Sequence, residues 1–141
     1  MTYAAHIQDL IDDFTFMDDW EERYMHVIDL GKDLQPLSPE ERNDTTRVKG
    51  CVSQVWLVRD HHLEDDKQLF YRGDSDAHIV KGLVAIMISI FSGQTANDII
   101  KTNIDDIMQQ LGLSEHLSQQ RSNGLKAMIG RIQQDATAKL S

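Results

Sequence analysis

The sequence predicts an α+β fold in which a small antiparallel sheet packs against helices, all within one domain spanning residues 1–141. Two observations carry this prediction. Apolar residues recur at helical spacing near the start of the chain and throughout its second half, whereas the stretch from Val48 to Tyr71 alternates and is rich in β-branched and aromatic residues. At 141 residues the chain has the length of one ordinary domain, and a domain of this size buries about two thirds of its unfolded surface.

Ile7, Leu10, Ile11 and Phe14 fall at i, i+3, i+4 and i+7, one apolar stripe on a first helix. Asp18 or Asp19 offers an N-cap for a second, with Glu21 and Glu22 suited to its positive first turn and Trp20, Tyr24, Val27 and Ile28 on its apolar face. Gly31 is read as its left-handed C-terminal residue. The connection from Lys32 to Arg47 is polar and holds both prolines, and Ser38-Pro39-Glu40-Glu41 has the form of a capping box with proline at the first helical position. Val52 to Arg59 reads as a strand, and Gln68 to Tyr71, beyond the polar break at Glu64-Asp65-Asp66-Lys67, as its antiparallel partner. Asp74 or Ser75 is then expected to cap a helix whose residues Ile79, Val80, Leu83, Val84, Ile86, Met87, Ile90 and Phe91 leave almost no polar face. That helix is the predicted centre of the domain. Gly93 closes it, Thr95 resembles a further cap, and Ile104, Ile107, Met108 and Leu111 form a short helix stopped by Gly112. Leu125, Met128, Ile129 and Ile132 mark a last amphipathic helix.

The net charge of -9 opposes binding to a phosphate backbone, so no nucleic-acid partner is expected. Residues 1–13 lack the basic start and apolar run of a secretory signal, and the apolar stretch around Leu83 to Ile90 is too short to span a bilayer. A cytoplasmic protein with no membrane contact is the expectation. A single cysteine forbids an internal disulfide and leaves a cysteine-based zinc site without its other thiolates. The six histidines, His61-His62 among them, show no i, i+4 pair backed by a third ligand, and Gly73-Asp74-Ser75-Asp76 lacks the closing Glu of a calcium loop. No metal and no cofactor are expected.

Chemistry therefore centres on Cys51, set in Arg47-Val48-Lys49-Gly50-Cys51-Val52-Ser53-Gln54 where the polar connection meets the first strand. Gly50 permits positive φ, Arg47 and Lys49 bring positive charge within side-chain reach, and both effects favour a thiolate. Two other readings compete: an adaptor in which Cys51 is a small apolar residue, and a Cys-His hydrolase with a histidine within hydrogen-bond reach of the sulfur.

Gly50-Cys51-Val52-Ser53-Gln54-Val55-Trp56 resembles the signature around the active cysteine of the SufE/CsdE sulfur acceptors. Three further blocks resemble that family in the same order: Trp20-Glu21-Glu22-Arg23-Tyr24 with Asp29-Leu30-Gly31, Gly73-Asp74-Ser75-Asp76-Ala77 with Ile79-Val80-Lys81-Gly82-Leu83, and His116-Leu117-Ser118 with Arg121-Ser122-Asn123-Gly124-Leu125. Gln119-Gln120 departs from the Pro-Ser pair common before that arginine. The resemblance implies a fold similar to the IscU-type iron–sulfur scaffold and a pyridoxal-phosphate cysteine desulfurase of the SufS or CsdA type as partner. Its implied role is to receive persulfide sulfur on Cys51, activate the desulfurase, and pass the sulfur to a downstream scaffold in iron–sulfur cluster assembly. Ser53, Gln54, Asp74 and Arg121 are implied to shape the cysteine loop or to contact the partner, together with Arg47, Lys49 and Gly50.

Overall fold

The computed structural model describes residues 4–50, 53–64 and 67–140. The fold is α+β, as predicted. Helices α1 (Ala5–Thr15) and α2 (Trp20–Lys32) precede a 3-10 turn at Pro39–Glu41, and strands β1 (Val55–Arg59) and β2 (Tyr71–Ser75) form the sheet. Helices α3 (His78–Phe91), α4 (Ala96–Lys101), α5 (Ile104–Gln110) and α6 (Gln119–Leu140) complete the chain.

The first stripe folds as its spacing requires: Ile7, Leu10, Ile11 and Phe14 are all buried on α1. Asp19 caps α2 by accepting the Glu22 N–H at 2.9 Å, and Ser38 and Glu41 complete the capping box reciprocally. Gly31 does not end α2. It lies within the helix, which closes at Lys32, and its role is close approach: a Cβ there would come 2.8 Å from the Gly82 backbone nitrogen of α3. A Cβ on Gly82 would in turn press into the Val27 backbone, 2.6 Å from its carbonyl carbon. Two glycines thus let α2 and α3 cross backbone to backbone, a contact that periodicity along one helix does not reveal.

The sheet is shifted along the sequence relative to expectation. Val55 pairs with Ser75, Leu57 with Gly73 and Arg59 with Tyr71, so β2 begins where the predicted strand ends. The segment before it is engaged elsewhere: the Leu69 N–H donates to Gln94 at 3.0 Å and Leu69 accepts from Gly93 at 2.7 Å, tying residues 67–69 to the turn after α3. Ser53 and Gln54 lie outside β1, and Val52 lies outside the described residues. Because the backbones of Asp74 and Ser75 are held in the ladder, neither caps α3. The N-cap position falls on Ala77, which has no side chain to offer, and the Ser75 hydroxyl accepts the Ala77 N–H at 3.3 Å.

α3 is the centre of the core, with Leu83, Val84, Ile86, Met87, Ile90 and Phe91 all almost fully buried. It packs on α2, on the sheet and on α6. Gly73 admits it to the sheet, since a Cβ there would meet Val84 at 2.8 Å. Beyond Gly93 the chain forms two short helices where the pattern suggests one. Thr95 caps α4, Asn103 caps α5, and Gly112 turns out of α5 with φ +73°. The last helix runs to Leu140 with Leu125, Met128, Ile132 and Ala136 buried. No helix among the described residues is long and apolar enough to cross a membrane.

Candidate functional site

The segments on either side of residues 51 and 52 are fixed by backbone pairing. The Val48 N–H donates to Val55 at 2.8 Å, Leu57 donates to Thr46 at 2.9 Å, and Arg47 forms a bridge with Trp56, so residues 46–48 add a short third rung to the free edge of β1. Arg131 of α6 clamps the same segment, its guanidinium donating to the carbonyls of Thr45 at 2.6 Å and Arg47 at 3.5 Å. On the far side, the Gln54 N–H donates to the Asp76 carboxylate at 3.0 Å while the Gln54 carbonyl accepts the Ser75 hydroxyl at 2.7 Å. Gly50 holds φ +95°, a conformation that costs other residues strain, and its α-carbon faces Ala127 of α6. Cys51 itself lies outside the described residues, between these two anchored ends.

Ser53 and Arg121 meet at one cavity of about 320 Å³ between the start of α3 and the start of α6. Its walls are apolar, with Ile79, Val80 and Leu83 from α3 and Leu125 and Met128 from α6, and its rim is polar, with Ser53, Ser118 and Gln120 beside Arg121. The start of α6 is marked by Ser118, whose hydroxyl accepts the Arg121 N–H at 3.3 Å just before Gln119 opens the helix. Arg121 is half-buried and makes no ion pair among the described residues. Lys49 is exposed and Arg47 half-buried, and neither pairs with a carboxylate among the described residues.

Asp74 stands apart from this cavity. The ladder places it on the outer face of the sheet opposite Trp56, and it is only 5% exposed. Its carboxylate accepts from the Ser75 N–H at 2.8 Å and from Arg42 at 2.6 Å, and meets Lys81 at 3.3 Å. Burial opposes its ionisation, but those donors outweigh burial and hold its carboxyl below the usual range. Arg42 also lies over the Trp56 ring, 5.6 Å from the centroid. Beside it, Arg72 bonds Asp60 at 2.8 and 2.9 Å and Glu41 at 3.1 Å, so this polar lattice fastens the long connection over the sheet. Asp74 is therefore a structural anchor of that connection.

Sequence reasoning missed Asp76 and Arg131 as supports of the cysteine segment and Arg42 as the partner of Asp74. Asp76 belongs to one of the family-like blocks, yet its local pattern suggests only part of a cap. Arg42 and Arg131 carry no local signal, because their partners lie far away in the chain. Of the histidines, His116 stacks on Trp20 at 4.4 Å, His26 meets Phe14 edge-on at 5.0 Å, and His6 bonds the Ile90 carbonyl at 3.2 Å. No group of three or more His, Cys, Asp or Glu that would hold a metal occurs among the described residues.

Comparison with known proteins agrees with this architecture. The family model of SufE, described as an Fe-S metabolism associated domain, matches residues 8–136. An uncharacterised SufE-like protein of Rhizobium meliloti is 49% identical over 136 residues, covering 95% of this chain and 96% of the relative. A second, from Rhizobium etli, is 46% identical over 140 residues, covering 97% and 93%. The solution structure of a hypothetical protein from Thermus thermophilus superposes with a TM-score of 0.76 at 16% identity, covering 99% of this chain and 98% of that one, which shows a shared fold. With a family match spanning nearly every element described above, the chain belongs to the SufE family, whose domain is associated with iron–sulfur metabolism.

Proposed function

We propose that this chain is the sulfur acceptor and activator of a pyridoxal-phosphate cysteine desulfurase of the SufS or CsdA type, working as a single domain in the cytoplasm. In this reading the Cys51 thiolate attacks the outer sulfur of the desulfurase persulfide. The donor's sulfur–sulfur bond breaks, a new one forms to Cys51, and the donor cysteine leaves as a thiolate, so bonds and electrons balance without an external oxidant. Clearing the donor cysteine frees it for another turnover, which is the activation. Cys51-S-SH then passes its outer sulfur to a downstream scaffold by the same exchange.

The observation that carries the reading is the cavity beside the cysteine segment. Ser53, two residues beyond Cys51, shares its rim with Arg121, a cation with no carboxylate partner among the described residues. Such a cation favours a thiolate or a persulfide anion nearby, and the apolar walls limit access of water. Arg47, Lys49, Gly50 and Gln54 hold or flank the segment, and a lone cysteine has no neighbour in the chain to turn a persulfide into a disulfide and release its sulfur. The test is transfer of labelled sulfur from cysteine through a purified desulfurase, followed by mass mapping of the modified residue. A gain of one sulfur atom on Cys51, abolished in Cys51→Ser together with the stimulation, is the expected result. Full stimulation by Cys51→Ser, or label elsewhere in the chain, would overturn it.

A further inference from the structure

A second surface, independent of Cys51, stands out at the α1–α2 corner. Phe16 is 85% exposed at the end of α1 and Met25 is 54% exposed on the outer face of α2. Met25 separates two open grooves, one lined by Met17, Glu21, Glu22, His26 and Asp29, the other by Trp20, Glu21 and Tyr24. Carboxylates surround both apolar side chains. Phe16 keeps helical dihedrals, so Asp12 and Asp13, four and three residues before it, are its neighbours on the helix surface.

Residues 1–22 contain seven carboxylates and no lysine or arginine. Helix electrostatics accounts for only some of them. Asp19, Glu21 and Glu22 suit the start of α2, but Asp12 and Asp13 sit in the last turn of α1, where the helix dipole disfavours them. Among the described residues Asp12, Asp13, Asp18, Glu21 and Glu22 make no ion pair. The nearest following cation, Arg23, is turned inward against Gly112, which has no side chain to block it. The patch also adjoins the cavity rim: Trp20 stacks on exposed His116, and the chain continues from there to Ser118 at the cavity.

We propose that this corner is a docking surface for a basic amphipathic segment of a protein partner, in which lysines or arginines flank one large apolar side chain. The apolar side chain enters a groove beside Met25, and the cations face Glu21, Glu22 and the acids around Phe16. An anionic membrane or a nucleic acid meets the wrong sign of charge here, and a second copy of this chain carries the same excess of acid.

The test titrates the full-length isotope-labelled chain with a synthetic amphipathic peptide bearing one phenylalanine among lysines, alongside a twin with glutamates in their place. The lysine peptide is expected to shift the resonances of Met17, Glu21, Met25 and Asp29 and to lose about tenfold in affinity as salt rises from about 0.05 to about 0.5 M. Met25→Ser and the pair Glu21→Gln with Glu22→Gln, all at exposed positions, are each expected to weaken it by about fivefold or more with unchanged circular dichroism. Equal binding of the twin, shifts confined to other elements, or unaltered affinity in both variants would overturn the proposal. So would self-association through Met25 or binding of anionic vesicles at the same residues.

Discussion

Adding one methyl group at Gly82 and the same group at Gly130 is expected to move stability in opposite directions. At Gly82 the new Cβ would lie 2.6 Å from the Val27 carbonyl carbon and 2.5 Å from its Cγ1, and closer still to its carbonyl oxygen. Carbon–carbon contact needs about 3.5 Å, so α2 and α3 must part by about 1 Å. Neither helix has free space to do so, because Val27, Ile79 and Leu83 beside the crossing are buried. Overpacking of this kind costs about 1–3 kcal/mol or more, against about 1 kcal/mol gained from the better helix propensity of alanine. The obstruction here is backbone and not a movable side chain, which argues for the upper end and a net loss of about 2 kcal/mol. For a chain of this length that lowers the melting midpoint by about 4–8 °C. At Gly130, inside α6, a Cβ meets nothing within 4 Å. There the propensity acts alone, and Gly130→Ala is expected to gain about 0.5–1 kcal/mol, or about 2–3 °C. Thermal and urea unfolding followed by circular dichroism measure both. A Gly82→Ala protein at least as stable as the parent would refute the close crossing of α2 and α3, and with it the position of the α3 wall of the cavity.

Acid should erode stability through the paired carboxylates. Arg72 is the main cause that holds the Glu41 carboxyl down at about 2, and Asp74 and Glu64 are also lowered because their donors outweigh the burial that opposes ionisation. Their folded pKa values lie below the unfolded ones, so the stabilisation is complete above about pH 4.5 and is lost as pH falls toward about 2. The urea midpoint should therefore fall steadily across that window, and less steeply in Glu41→Gln; a flat profile contradicts the pairing. Tyr71→Phe removes the hydroxyl that donates to Asp135 at 2.7 Å from a buried ring and should cost about 1–2 kcal/mol in urea unfolding, with loss of the phenol whose ionisation is pushed above the normal range by burial and by Asp135. Gly50→Ala leaves Ala127 at an ordinary 3.4 Å but forces a side chain onto φ +95°, so about 1–2 kcal/mol should be lost through the backbone alone; an unchanged melting midpoint would show that the turn does not hold that conformation.

Several features were decided by neighbours in the sequence. The stripe of Ile7, Leu10, Ile11 and Phe14, the Asp19 cap, the Ser38–Glu41 capping box and the mostly apolar surface of α3 are each set by residues a few positions apart, so spacing alone determined them. The same holds for the family, whose blocks are short runs of residues, and for Cys51 as the one cysteine of the sequence. Tertiary structure decided what depends on partners distant in the chain. Gly31 reads locally as a helix terminator and becomes a crossing point only because Gly82 lies against it. Asp74 reads as a cap and becomes a buried anchor because β1 draws its backbone into a ladder and Arg42 arrives from the connection to pair with it. The cavity exists only where Ser53 and Arg121 are brought together across the starts of α3 and α6. Local preferences are worth about 1 kcal/mol per residue, and tertiary pairing that claims the same backbone groups for a ladder overrides them.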